Sequence, residues 1–190
     1  IQDTSIITNN LITAAKIADP TFNANRKATL VLSGSPISNV YTVIIEGSTI
    51  THTSNASGTY DSILTALKSS IDSLSISGLS TVKYRESLQI TDSNSAITIS
   101  AEGGQAGDSI YVFQDQVDNA GQLPEQTFNG HLVKVVNTNS TDDTYFAKFN
   151  ADNGTSGPGN WGEGLDPSKS TGLDGSTMPH ELVNTSLNTF

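Results

Sequence analysis

Cysteine is absent from the 190 residues. That excludes a disulfide framework, a thiolate metal site and a cysteine nucleophile. Basic residues are scarce: nine Lys and Arg stand against nineteen Asp and Glu, for a formal net charge of −10. Proteins hold nucleic acid tightly by letting Lys and Arg displace counterions from phosphates, and this chain offers no such patch. The same deficit argues against an anionic membrane surface, although an acidic wall beside DNA, where repulsion prevents sticking, is compatible with it. Long apolar runs are also missing, none approaching the ~20 residues of a membrane-spanning helix, and no secretory leader opens the sequence. Hydrophobic residues make up 35% and charged residues only 15%. Ser, Thr, Asn and Gly fill the difference, a mix suited to short strands joined by many turns. The first residue is Ile1 and the last is Phe190, and both ends read as cuts within a longer product.

Along the chain the pattern changes three times. Residues 1–25 read as a stub of a preceding domain, with a short strand at 5–8 and a stop at Asp19-Pro20. Residues 26–118 read as an α+β unit. In it, 28–32 and 40–45 are β-branched-rich runs around Ser33-Gly34-Ser35-Pro36, which predicts an antiparallel pair, with 49–52 as a third strand. Tyr60, Ile63, Leu64, Leu67, Ile71 and Leu74 recur at three- and four-residue steps and predict a helix over 59–74. Thr59 suits its N-cap, Asp61 its first turn and Gly78 the region just past its end. Further strands follow at 82–85 and 110–113, and 88–91 with 96–99 predicts a hairpin. Residues 118–130 read as a linker. The stretch 119–190 then forms a small second β unit, with strands at 132–136 and 145–149, that leads back to a larger body. Residues 152–176 are rich in Gly, Ser, Asp and Asn and predict a long loop packed on a neighbouring subunit. The fold class is α+β: mostly antiparallel β, one amphipathic helix packed on a sheet, a small second β unit and a long Gly-rich loop.

Catalytic chemistry finds little support. His52, His131 and His180 have no triad signature, and neither a nucleophile elbow nor a His-Glu-x-x-His zinc motif is present. His52 falls on a predicted strand and His131 opens another, and a surface or turn histidine is the simpler expectation for each. Glu125, Asp142 with Asp143, and Glu163 with Asp166 are the carboxylates to test for glycan cleavage, which needs two such groups across a cleft. Asp142-Asp143 reads more simply as a solvated turn. Asn150-Ala151-Asp152-Asn153-Gly154 resembles the start of a calcium loop, but its twelfth position is Trp161 where a Glu is required, and turn hydrogen bonding accounts for it. Four Asn-x-Ser/Thr tripeptides, beginning at Asn55, Asn139, Asn153 and Asn184, are what a Ser/Thr/Asn-rich chain produces by chance. Trp161 reads either as an interface anchor or as a plug over the domain's own core.

The last third has the most distinctive order: Gly130-His131-Leu132-Val133-Lys134-Val135-Val136, Tyr145-Phe146-Ala147-Lys148-Phe149, Trp161-Gly162-Glu163, then Thr177-Met178-Pro179-His180-Glu181-Leu182-Val183. This order resembles tail tubular protein B, the tail nozzle family of short-tailed bacteriophages. The matching positions are Trp161, Glu163, Thr177, Met178, Pro179, His180 and Leu182, and the stretch between Phe149 and Trp161 looks longer than in relatives. The resemblance implies a structural virion protein of the phage tail and no enzyme, with no cofactor, no metal and no membrane binding by this segment. It implies a homo-hexameric ring of copies, contacts with the tail adaptor protein and tail fibres, and DNA passing through the lumen without specific binding. Two other classes compete: a bacterial surface or adhesion β module, and a tail-associated glycan or peptidoglycan hydrolase.

Overall fold

The computed structural model describes residues 22, 24–103, 109–136 and 143–167. Two compact units divide the chain: Pro20–Leu165, and one that joins Ile1–Asp19 to Asp166–Phe190. All the elements below belong to the first. In chain order they are β1 (Lys27–Leu32), β2 (Val40–Ile45), β3 (Ser48–Thr53), α1 (Tyr60–Ser73), β4 (Leu79–Lys83), β5 (Ser87–Asp92), β6 (Ile99–Gly103), β7 (Ile110–Phe113), β8 (Gln116–Val117), β9 (Thr127–Phe128), β10 (Leu132–Val135), β11 (Tyr145–Ala151), β12 (Ser156–Gly157) and β13 (Gly159–Gly164), with a 3-10 turn at Ala120–Gln122. Among the described residues the elements are mostly antiparallel strands with one α-helix, and the fold class is α+β, as the strand and helix patterns predict.

Three sheets and a short ribbon carry the architecture. Their strand orders are β4-β5-β1-β7, β3-β2-β6 and β13-β11-β10-β8, with β12-β9 as the ribbon. Strand β1 is the hinge of the design. Its side chains alternate between faces, yet both faces are covered. Ala28, Leu30 and Leu32 enter a core with Tyr41, Val43 and Ile45 of β2, Leu88 and Ile90 of β5, and the α1 stripe Ile63, Leu64, Leu67 and Ile71. Val31 points the other way, into a second core with Phe113, Val117, Val133, Val135 and Ala147. Between the cores, Thr29 donates a 2.9 Å hydrogen bond to Gln89, so its buried hydroxyl is satisfied.

Helix α1 forms where its stripe predicts. Thr59 accepts from the Ser62 amide at 3.2 Å and Ser62 Oγ accepts from the Thr59 amide at 3.1 Å, a reciprocal cap. The polar face is tied to β4 through the Lys83–Asp61 ion pair at 2.5 Å and through Thr81, which donates to Asp72 at 2.5 Å and accepts from Lys68 at 2.9 Å. Positive φ at Glu46 and Gly47 makes the two-residue turn that joins β2 to β3.

Two predicted pairings are corrected. β1 does not pair with β2; it lies between β5 and β7, while β2 lies between β3 and β6. A strand apolar on both faces belongs inside a covered sheet, and positive φ at Gly34 and Ser38 helps turn the chain out of that sheet into the next. Nor do β5 and β6 form a hairpin, since they sit in different sheets. Asp92 Oδ1 takes the Asn94 and Ser95 amides at 2.6 and 3.0 Å, and the Ile97 amide reaches Asn25 O at 2.7 Å, so the chain crosses between sheets. The Asn94 and Ser95 amides, more than any other group, hold the Asp92 carboxyl below the usual carboxylate range. The stretch 152–176 is also not all loop: β12 and the six-residue strand β13 occupy its described part, 152–167. Glycine makes β13 possible. A Cβ on Gly159 would stand 2.3 Å from Asn150 O, and one on Gly164 would stand 2.6 Å from the Leu132 side chain.

Candidate functional site

The second core is where polar chemistry concentrates. Segment 120–126 lies along it and is held by side chains rather than by a sheet ladder. Glu86, 8% exposed, accepts the Glu125 amide and, at 3.1 Å, the Gln126 amide. Ser87 Oγ donates to Gln126 O at 3.1 Å, and Arg85 pairs with Glu125 at 2.6 Å. Tyr111 donates to Gln122 O at 2.9 Å; burial, with the Glu86 charge adding, pushes its hydroxyl up to about 12, so it stays a donor. Trp161 Nε1 donates to Pro124 O at 2.7 Å. These contacts fix a segment whose composition reads as a linker.

His131 sits at the centre of this core, 3% exposed. Its ring stacks on Phe128 at 4.6 Å and on Phe113 at 6.2 Å, and lies 5.4 Å from Trp161. Its Nδ1 is 2.9 Å from Thr127 Oγ1. Burial, with the positive charge of Lys27 adding, pushes the imidazole down to about 3, so it is neutral at neutral pH. The expected surface or turn position for His131 is therefore corrected. An aromatic box around it makes burial favourable and the Thr127 hydroxyl satisfies one nitrogen. Thr127 four residues before His131, with Phe128 between, was the available signal. His52 lies on β3 opposite Tyr41 and shares no site with His131.

Trp161 is half-buried. Its ring meets Phe149 edge-on at 5.3 Å, so it closes one end of the second core. Beyond it the core opens into a groove of about 510 Å³ lined by Leu123, Pro124, Glu125, Tyr145, Ala147, Gly162 and Glu163. Glu163 stands opposite Ala147 in register and is exposed where the core ends. Strand β13 is a sheet edge, and a charge on its inner face opposes strand addition there. Two carboxylates from the cleavage hypothesis, Glu125 and Glu163, thus line one groove, with Glu125 engaged by Arg85.

Thr177, Met178, Pro179, His180 and Leu182 lie outside the described residues, as does Asp142. The calcium-like stretch is organised by turns: Asn153 Oδ1 accepts the Thr155 amide at 2.8 Å, Thr155 Oγ1 at 2.9 Å and the Ser156 amide at 3.0 Å. Among the described residues no group of three His, Asp or Glu is placed to hold a metal, and no helix is long and apolar enough to cross a membrane.

The second core is a β unit whose polar side chains fasten neighbouring backbone. A family model described as bacteriophage nozzle protein matches residues 1–190, and the chain belongs to that family. It is a structural protein of the phage tail and its place is the virion. No curated protein matches it.

Proposed function

We propose that this chain forms part of the wall of the tail nozzle through which DNA leaves the particle. Copies assemble as a homo-hexameric ring that contacts the tail adaptor protein and the tail fibres. The role is mechanical and electrostatic, without catalysis and without a cofactor. The observation that carries the reading is the family match over residues 1–190. The net charge of −10 supports the electrostatic part, because acidic side chains beside a DNA path discourage phosphate binding. Two cores sharing strand β1 support the mechanical part, since load on one sheet is passed directly to the other.

Reconstruction of tails from purified virions tests the ring: six copies around the channel are expected, and another multiplicity rejects the hexamer. Lysine replacement of the exposed acids Glu46, Glu102, Asp118 and Asp152 tests the electrostatic role. Slower ejection at low salt, relieved at high salt, is expected from any that face the lumen. Ejection unchanged at every salt concentration discards the repulsive wall.

A further inference from the structure

We propose that the groove bounded by β11, β13 and segment 120–125 is a saccharide-binding site that takes a short run of pyranose rings. This goes beyond the structural role of the chain and does not depend on ring formation. The groove holds about 510 Å³, within the usual range for ligand sites. Its floor, Ala147 and Gly162, carries no bulky side chain. An aromatic ring stands at each end: Trp161, and Tyr145, which is 45% exposed. Trp161 lies opposite Phe149, and Tyr145 is on the same face of β11 four residues away, so their backbone positions stand roughly 13 Å apart along the strand, a span of about three linked pyranose units.

The chemistry matches at each point. A pyranose presents a face of C–H bonds, slightly positive, that stacks on the negative face of an aromatic ring. Trp161 is already clamped by its bond to Pro124 O, so little side-chain entropy is lost on stacking. Midway, Glu163 offers a carboxylate that accepts from adjacent sugar hydroxyls, and Glu125 stands on the opposite wall, paired with Arg85. Cleavage needs two carboxylates held across the scissile bond, whereas Glu125 is turned to Arg85 at the surface. A basic peptide is the competing occupant, but it would be held by charge and not by the two rings.

The test is an array of defined tri- to hexasaccharides, neutral, amino and uronic, probed with the 190-residue chain and followed by calorimetry on the strongest binder. Binding of at least one saccharide is expected. Tyr145→Ala should weaken it at least tenfold and Glu163→Gln severalfold, while Val40→Ala on β2 leaves it unchanged. Tyr145 is half-exposed, and circular dichroism confirms that its variant folds. No binding to any saccharide, binding indifferent to both groove substitutions, or capture of oligolysine in preference to every saccharide overturns the proposal.

Discussion

The two cores of this chain are built on opposite plans. The first, between α1 and the sheets β4-β5-β1-β7 and β3-β2-β6, is aliphatic with one tyrosine, and its members are mostly fully buried. The second, beneath β13-β11-β10-β8, has fewer and smaller aliphatic members, four valines and Ala147 beside Phe113. It depends on an aromatic box around His131 and on hydrogen bonds from side chains to backbone. The first is held by non-directional burial, and the second by groups that must each find one partner. A core of the first kind tolerates exchange of similar volumes, whereas one of the second kind fails when a single partner is lost.

Substitutions sharpen this contrast. The largest effect is expected from Leu67→Ala on α1, a fully buried side chain, at about 2–5 kcal/mol in urea unfolding. Leu67→Met should cost less than about 1.5 kcal/mol. In the second core, Glu86→Ala leaves the Glu125 and Gln126 amides without their acceptor and is expected to cost about 2–3 kcal/mol; a loss under half of that would show segment 120–126 to be held by packing instead. Gly159→Ala forces backbone apart between β13 and β11 and should cost about 1–3 kcal/mol, more than Gly154→Ala, which meets open space and bears only the strain of its positive φ.

His131 provides a pH test of the second core alone. The unfolded chain takes up a proton on this residue as pH falls below about 6.5, whereas the folded chain resists protonation until about 3. Stability is therefore full above 6.5 and declines as pH drops through that window, by at most about 1.4 kcal/mol per pH unit. Between pH 6.5 and 5, before ordinary carboxylates titrate, His131→Phe should flatten the slope. A slope that survives the substitution assigns it to other groups. The smallest effect is at the helix cap, where Thr59→Ala should cost about 1 kcal/mol and Thr59→Asn almost nothing.

The same contrast decides what could be read before the fold was seen. Helix α1 and most strands announce themselves by periodicity because the first core uses aliphatic side chains at regular spacing. Partner choice did not follow. A turn such as Ser33-Gly34-Ser35-Pro36 fits a hairpin equally well, and only the burial of both β1 faces, a property of distant strands, places β2 elsewhere. In the second core β10 and β11 are legible, but the rest of the pattern is silent. Strand β13 reads Gly-Asn-Trp-Gly-Glu-Gly, and glycines chosen for close approach leave no alternation to detect. Trp161 and Glu163 were picked out by family resemblance, while Glu86 and His131 act through partners about forty or only four residues away, and neither relation has a local signature. Tyr145 and the groove depend on which strands are neighbours, so they became visible only with the register.

Strand β1, buried in both cores, is expected to make them one cooperative unit. Trp161, the single tryptophan, reports the second core by fluorescence, and the α1 signal in circular dichroism reports the first. Both should be followed through one urea titration of the 190-residue chain. Coincident midpoints, shifted together by Leu67→Ala, are the predicted result. Separate midpoints, with only the helix signal moved by that substitution, would contradict it.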